Sequence, residues 1–146
     1  MTPISTVSLP HRLQQLAAQR MADFCERHPA QGQWLADRLA ESEDFTRQLK
    51  LVWSCSRFVF ETCRDWPWVL VELVDSGDLF ASYGDNGHDV RLAQRLAGVD
   101  EAVLHRELRL FRRREMVRIV WRDFARLAPL LETTGDVTRL AEACIQ

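Results

Sequence analysis

The chain has 146 residues, of which 47% are hydrophobic and 27% charged, and its formal net charge is -2. That length suits one domain with a real apolar core. So small a net charge argues against a dedicated nucleic-acid or membrane-surface protein, whose affinity needs a cationic excess.

The apolar spacing is helical nearly throughout. A first helix is expected from about Pro10 to Arg27, with Leu13, Leu16, Ala17, Met21 and Phe24 on one face. His28-Pro29 ends it, because a residue before proline is pushed out of the helical region. A short helix follows over about Gln33 to Ala40. Ser42 reads as an N-cap, with Glu43 and Asp44 favoured in the first turn by the helix dipole. The helix it starts carries Phe45, Leu49, Val52, Trp53, Phe58, Val59 and Phe60 and is expected to run to about Arg64. Pro67 suits the first turn of the next helix, Trp66 to Val74.

Residues 76–89 are the clearest loop, with three glycines and an Asn86-Gly87 turn signal. Its acids lack the alternate spacing and closing glutamate of a calcium loop, so a solvated connector is expected. A short helix near Val90 to Leu96 stops at Gly98, a C-terminal cap. Asp100 then caps the longest helix, about Glu101 to Leu130. Gly135-Asp136 is expected to start the last one, Val137 to Ile145. The fold class is all-α, an irregular helical bundle around a long arginine-rich helix, in a single helical domain over 1–146.

Cys25, Cys55, Cys63 and Cys144 form no C-x-x-C pair, and the histidines lack zinc spacing. Reduced, buried or half-buried thiols are expected. Met1 to Pro10 hold no apolar leader segment, and no apolar run reaches the ~20 residues that span a bilayer. A soluble, cytoplasmic protein is expected.

The long helix carries most of the information. From His105 to Arg126 eight arginines face only Glu107, Glu115 and Asp123, a net +5 that leaves -7 on the remainder. Lys50 is the single lysine. On a helical wheel the apolar residues of this stretch fall on three faces, Leu110 with Val117, Trp121 and Phe124 among them. The helix therefore reads as buried, with guanidinium groups close to the core. A buried charge needs a partner, and Glu43, Asp44, Glu61, Asp65, Glu72 and Asp75 are candidates. Arg109, Arg112, Arg113, Arg114 and Arg118 are the candidate ion-pair or interaction residues. A subset, such as Arg112, Arg113 and Arg118, could instead face a phosphate or an acidic partner.

The segment Glu107 to Phe124 closely resembles the L-R-x-x-R-R-x-x-x-x-R-I-x-x-x-D stretch of the glutamine synthetase adenylyltransferase family. Leu131 to Ala143 is similar to the segment that follows it there. Ser56–Val59 and Asp65–Leu70 look like that family's S-x-F-V and D-P-x-x-L segments. The resemblance is strong over about Trp53 to Ala143.

Such enzymes are two-headed. One nucleotidyltransferase head attaches AMP from ATP to a glutamine synthetase tyrosine, and the other removes it by phosphorolysis. Both use Mg2+ on a G-x-x-G-G-x-E…S-D-x-D type motif, and PII signalling proteins bias them. The chain has no Gly-Gly pair and no Ser-Asp-x-Asp. The resemblance thus implies a non-catalytic helical piece preceding the first nucleotidyltransferase core. Its partners would be glutamine synthetase, a PII-type protein and the remainder of the parent chain. Two other readings compete: a stand-alone helical protein-interaction module using the arginine-rich helix, and a nucleic-acid binder, which the net charge disfavours.

Overall fold

The computed structural model describes residues 9–145. Most of the polar lead-in read over Met1 to Pro10 lies outside them. Among the described residues the regular elements are helical: α1 His11–Arg27, α2 Pro29–Glu41, α3 Glu43–Cys55, α4 Arg57–Asp65, α5 Pro67–Asp75, α6 Gly87–Leu96, α7 Glu101–Phe124 and α8 Leu130–Ile145, with a 3-10 turn at Asp78–Phe80. The all-α class read from the sequence is the class observed. The backbone gathers into two compact units, Met1–Val71 and Glu72–Gln146, and the division falls inside α5.

In the first unit α1 packs against α2, α3 and α4. Its centre is Trp53, fully buried. Phe24 lies 5.4 Å from the Trp53 ring and Phe60 5.3 Å from it, edge-on. Such tilted aromatic pairs add to plain area burial. The helix expected over 43–64 is two helices. Ser56 adopts an extended conformation and its hydroxyl accepts the Val59 N–H at 3.2 Å, which caps α4. Ser42 caps α3 in the same way through Phe45 N–H, at 3.1 Å.

In the second unit α7 packs against α6 and α8, and the 3-10 turn lies on α7. An apolar cluster of Leu92, Phe111, Ile119, Leu140 and Ala143 joins the three helices. Gly98 has φ +74°, the left-handed conformation that a helix end favours and that glycine adopts without strain. Three boundaries differ from expectation, the first being α6, which begins at Gly87 rather than near Val90. The long helix stops at Phe124, where Ala125 N–H bonds back to the Trp121 carbonyl at 2.8 Å and Arg126 turns left-handed at φ 58°. The last helix begins at Leu130, so Gly135 and Asp136 lie inside it. Asp100 sits at the expected cap position of α7, but its side chain makes no capping bond.

Two cysteines are more open than expected. Cys25 and Cys55 are exposed, Cys144 is intermediate, and only Cys63 is buried; all four are free. Burial pushes the Cys63 thiol up to about 12, which makes it inert.

Candidate functional site

Residues four apart share a helix face, and Arg114, Arg118 and Arg122 follow that spacing along α7. Their residues are only 4%, 0% and 3% exposed. Taking guanidinium groups out of water is costly unless their nitrogens find acceptors, and here eight of the nine do.

Arg114 donates to Glu72 at 2.7 Å, to Asp78 at 2.6 Å and to Glu115 at 2.9 Å. Arg118 donates to the Asp78 carbonyl at 3.0 Å, to Asp136 of α8 at 3.3 Å and to the Ala81 carbonyl. Arg122 donates to the Leu79 and Leu127 carbonyls and to Glu132, each at 3.2 to 3.3 Å. Its Nε is buried without an acceptor.

Two further elements close the site. From α6, Arg91 grips Asp78 with two bonds of 2.9 and 3.1 Å. Arg95 reaches Glu72 at 2.7 Å. From the segment before α6, Tyr83 donates its hydroxyl to Glu115 at 2.9 Å. The guanidinium carbons of Arg118 and Arg91 lie over the Tyr83 ring, 3.4 and 3.7 Å from its centre, in cation–π geometry. His88 stands edge-on to Tyr83 at 4.9 Å and bonds Asp136 at 3.3 Å.

The local electrostatics follow from this packing. Burial pushes the Asp78 carboxyl up, but Arg91 and Arg114 overcome it and hold the group down at about 2. Burial, helped by the Glu115 charge, raises the Tyr83 phenol well above its usual range. Burial also keeps His88 below the ordinary histidine value, against the pull of Glu115 and Asp136. Five buried or half-buried arginines thus meet five carboxylates around a neutral histidine.

Of the candidate residues read from the sequence, Arg114 and Arg118 belong to this network. Arg118, weighed as a phosphate or partner contact, has its three terminal nitrogens committed inside the fold. Arg109, Arg112 and Arg113 lie on the exposed side of α7. Arg122 was missed, although its place in the four-residue series with Arg114 and Arg118 marks it. Among the acids considered as partners, Glu72 takes part. Asp44, Glu61 and Asp65 instead pair with nearby Arg47, Arg57 and Arg64.

The largest correction concerns residues 76–89. Only part of this segment behaves as a solvated connector, with Gly84, Asp85 and Asn86 exposed. The carbonyls of Asp78, Leu79 and Ala81, the Asp78 carboxylate and the Tyr83 ring are the counterpart that the α7 arginines bind, and His88 joins the network through Asp136. A left-out acceptor set of this kind has no sequence pattern, because backbone carbonyls are present in every residue.

The arrangement links α6, α7, α8 and the 78–83 segment by ion pairs and hydrogen bonds. Among the described residues no three histidine, cysteine or carboxylate side chains converge as a metal site requires. The clustered carboxylates are bound to guanidinium groups, so the residues present do not fit Mg2+. No helix is long and apolar enough to cross a membrane among the described residues.

No solved structure matches the chain. The chain is 47% identical over 100 residues to the bifunctional glutamine synthetase adenylyltransferase/adenylyl-removing enzyme of Nitrosococcus oceani, covering 68% of the chain and 10% of that protein. Against the enzyme of the same name from Pseudomonas syringae pv. tomato it is 34% identical over 91% of the chain and 12% of the relative. For the Shewanella loihica enzyme the values are 32%, 99% and 14%. The chain therefore spans between 10 and 14% of the length of these relatives. The model of the glutamate-ammonia ligase adenylyltransferase family matches residues 46–146, which include the whole arginine network. With most of its length inside that match, the chain belongs to the glutamate-ammonia ligase adenylyltransferase family.

Proposed function

We propose that this chain is a helical supporting region of a bifunctional enzyme that adenylylates and de-adenylylates glutamine synthetase, and that it takes no direct part in the chemistry. The observation that carries the reading is the internal commitment of Arg114, Arg118 and Arg122 within the stretch that matches the family. Phosphoryl-type transfer needs positioned metal ions and free cationic groups at the nucleotide. The buried arginines of this helix instead hold α6, α7, α8 and the 78–83 segment in one arrangement. Under this reading ATP and Mg2+ are held by other parts of the enzyme, glutamine synthetase and a PII-type protein are its partners, and the setting is cytoplasmic.

The test is an AMP-transfer and AMP-removal assay on glutamine synthetase. The 146-residue chain alone is expected to do neither. Replacing the counterpart segment of the Nitrosococcus oceani enzyme with this chain is expected to leave both activities in place. Turnover by the chain alone overturns the non-catalytic reading. A well-folded hybrid without either activity overturns the family role.

A second reading, a helical interaction module, draws on the outer face of α7. Arg106, Arg109 and Arg112 are exposed there and follow one another at three-residue steps. Salt-sensitive binding of a polyglutamate peptide, lost in a triple glutamine variant, would favour it over the supporting role.

A further inference from the structure

Helix α8 turns one side to the rest of its unit through Asp136, Leu140 and Ala143. The opposite side has an unusual composition for a solvent face. Leu130 is 74% exposed, Leu131 86%, Val137 43% and Ile145 84%. At about 100° per residue these four fall within about 120° of arc, with Thr134 and Thr138 between them. Glu132, Asp136 and Arg139 lie elsewhere on the helix, and Glu142 only borders the strip.

The two threonines do not make this face polar. The Thr134 hydroxyl donates to the Leu130 and Leu131 carbonyls at 3.1 Å, and the Thr138 hydroxyl to the Thr134 carbonyl at 3.0 Å. Their donors are used on the helix itself, so the face presents methyl groups. At its amino-terminal end the strip runs into a groove of about 620 Å³ lined by Phe124, Leu127, Ala128, Pro129 and Leu130, with Asp123 and Arg126 on the same wall. Phe124 and Leu127 are themselves 40% and 36% exposed. On α8 itself this leaves an exposed apolar strip without a charged side chain, a face of the kind at which interaction surfaces form.

We infer that this face of α8 is a docking strip for an apolar helix supplied by another part of the same longer polypeptide. The inference rests on the reading of the chain as a region of the bifunctional enzyme. Size selects the occupant. A strip about 24 Å long and about 10 Å wide falls well short of the roughly 800 Å² per partner of a standard interface. A second copy of the chain would bind such a strip weakly. A tethered helix meets it at an effective concentration near the millimolar range, where a small apolar contact suffices. The relatives are seven to ten times longer than their matched part, so such a polypeptide is at hand. The occupant has leucine- or isoleucine-sized residues at helical spacing and no charge on the facing side.

The test places a thiol on the strip. Thr138→Cys is made in the chain alone and in the hybrid with the Nitrosococcus oceani enzyme. Maleimide labelling is followed site by site by peptide mass mapping, with exposed Cys55 as the internal standard. In the chain alone the new thiol is expected to label as fast as Cys55, and in the hybrid at least about tenfold slower. Equal labelling in both proteins overturns the inference. Protection in the chain alone that grows with protein concentration also overturns it, in favour of a second copy. Leu131→Cys repeats the measurement at a site where a substitution meets open solvent. Activity of the hybrid on glutamine synthetase is read separately. Its loss with the thiol still protected strikes the proposed function and leaves the docking strip.

Discussion

Arg118 and Asp136 form an ion pair of 3.3 Å in which the side chains are 0% and 2% exposed, and the pair joins the middle of α7 to the middle of α8. Asp136 also holds His88 from the start of α6. One carboxylate therefore fixes three helices. Removing one partner of such a pair strands the other charge in the interior, which costs about 3–5 kcal/mol. Arg118→Ala should lower the melting temperature strongly, or prevent folding of the second unit. Arg109→Ala and Arg112→Ala, on the exposed face, should leave it nearly unchanged. Thermal unfolding of the three variants by circular dichroism checks this, and equal small losses would contradict the network as the organising feature.

His88 gives the chain a pH-dependent stability. Its pKa in the fold is depressed, first by burial, so the folded state binds the proton less readily than the unfolded one. The groups facing it are Tyr83 from the preceding segment, Glu115 and Arg118 from α7, and Asp136 from α8. By linkage, the stability contributed by the neutral ring is complete above the unfolded value of about 6.5 and declines as pH falls below it. Melting temperature should drop between pH 7.5 and 5.5 in the native chain. The slope should be flatter in His88→Gln, whose amide still donates to Asp136. Parallel slopes would remove His88 from the account.

Asp78 acts in a lower window. Its carboxyl is held at about 2, below the ordinary 3.8, so the charged form stabilises the fold above the unfolded value. This contribution, about 2 kcal/mol, is lost as pH falls from about 4 towards 2. Asp78→Asn should lower stability at pH 7 and make acid unfolding between those limits shallower. An acid midpoint and slope matching the native chain would count against the Arg91–Asp78–Arg114 grip.

Much of this fold is written in the sequence because its signals are local. The apolar spacing of α1, the serine cap at Ser42, Pro67 at the start of α5 and Gly98 after α6 each act within one or two turns. The break at Ser56 is hidden in the sequence, since the apolar rhythm of Phe45 to Phe60 continues across it and Ser56 reads like the helix-interior Ser54 two residues before it. The role of residues 78–88 was hidden for another reason. Its donors and acceptors meet α7 across 32 to 43 residues of sequence, and a Gly- and Asp-rich stretch reads as solvent-facing whenever its partners are distant. The pairing of α7 arginines with acids was legible in kind, from the cost of burying charge. The choice of Arg114, Arg118 and Arg122 over Arg109, Arg112 and Arg113 needed the helix orientation.

Two glycines separate close packing from helix propensity. Gly135 lies in the interior of α8, where a glycine costs up to about 1 kcal/mol relative to alanine. A Cβ there would meet only the end of the Arg139 side chain, at 3.0 Å, a flexible end held by ion pairs of 3.6 Å to Asp85 and 4.0 Å to Asp136. Gly87 lies in the first turn of α6, and a Cβ there would stand 2.6 Å from the Tyr83 Cβ. Tyr83 has little room to retreat, because Glu115 holds its hydroxyl and two guanidinium groups lie over its ring. Overpacking of this kind costs about 1–3 kcal/mol, more than the propensity gain. Gly135→Ala should therefore raise the melting temperature and Gly87→Ala should lower it. If Gly87→Ala were neutral, Tyr83 would have to be free to shift, and the packing of Arg91 and Arg118 on its ring would not be rigid.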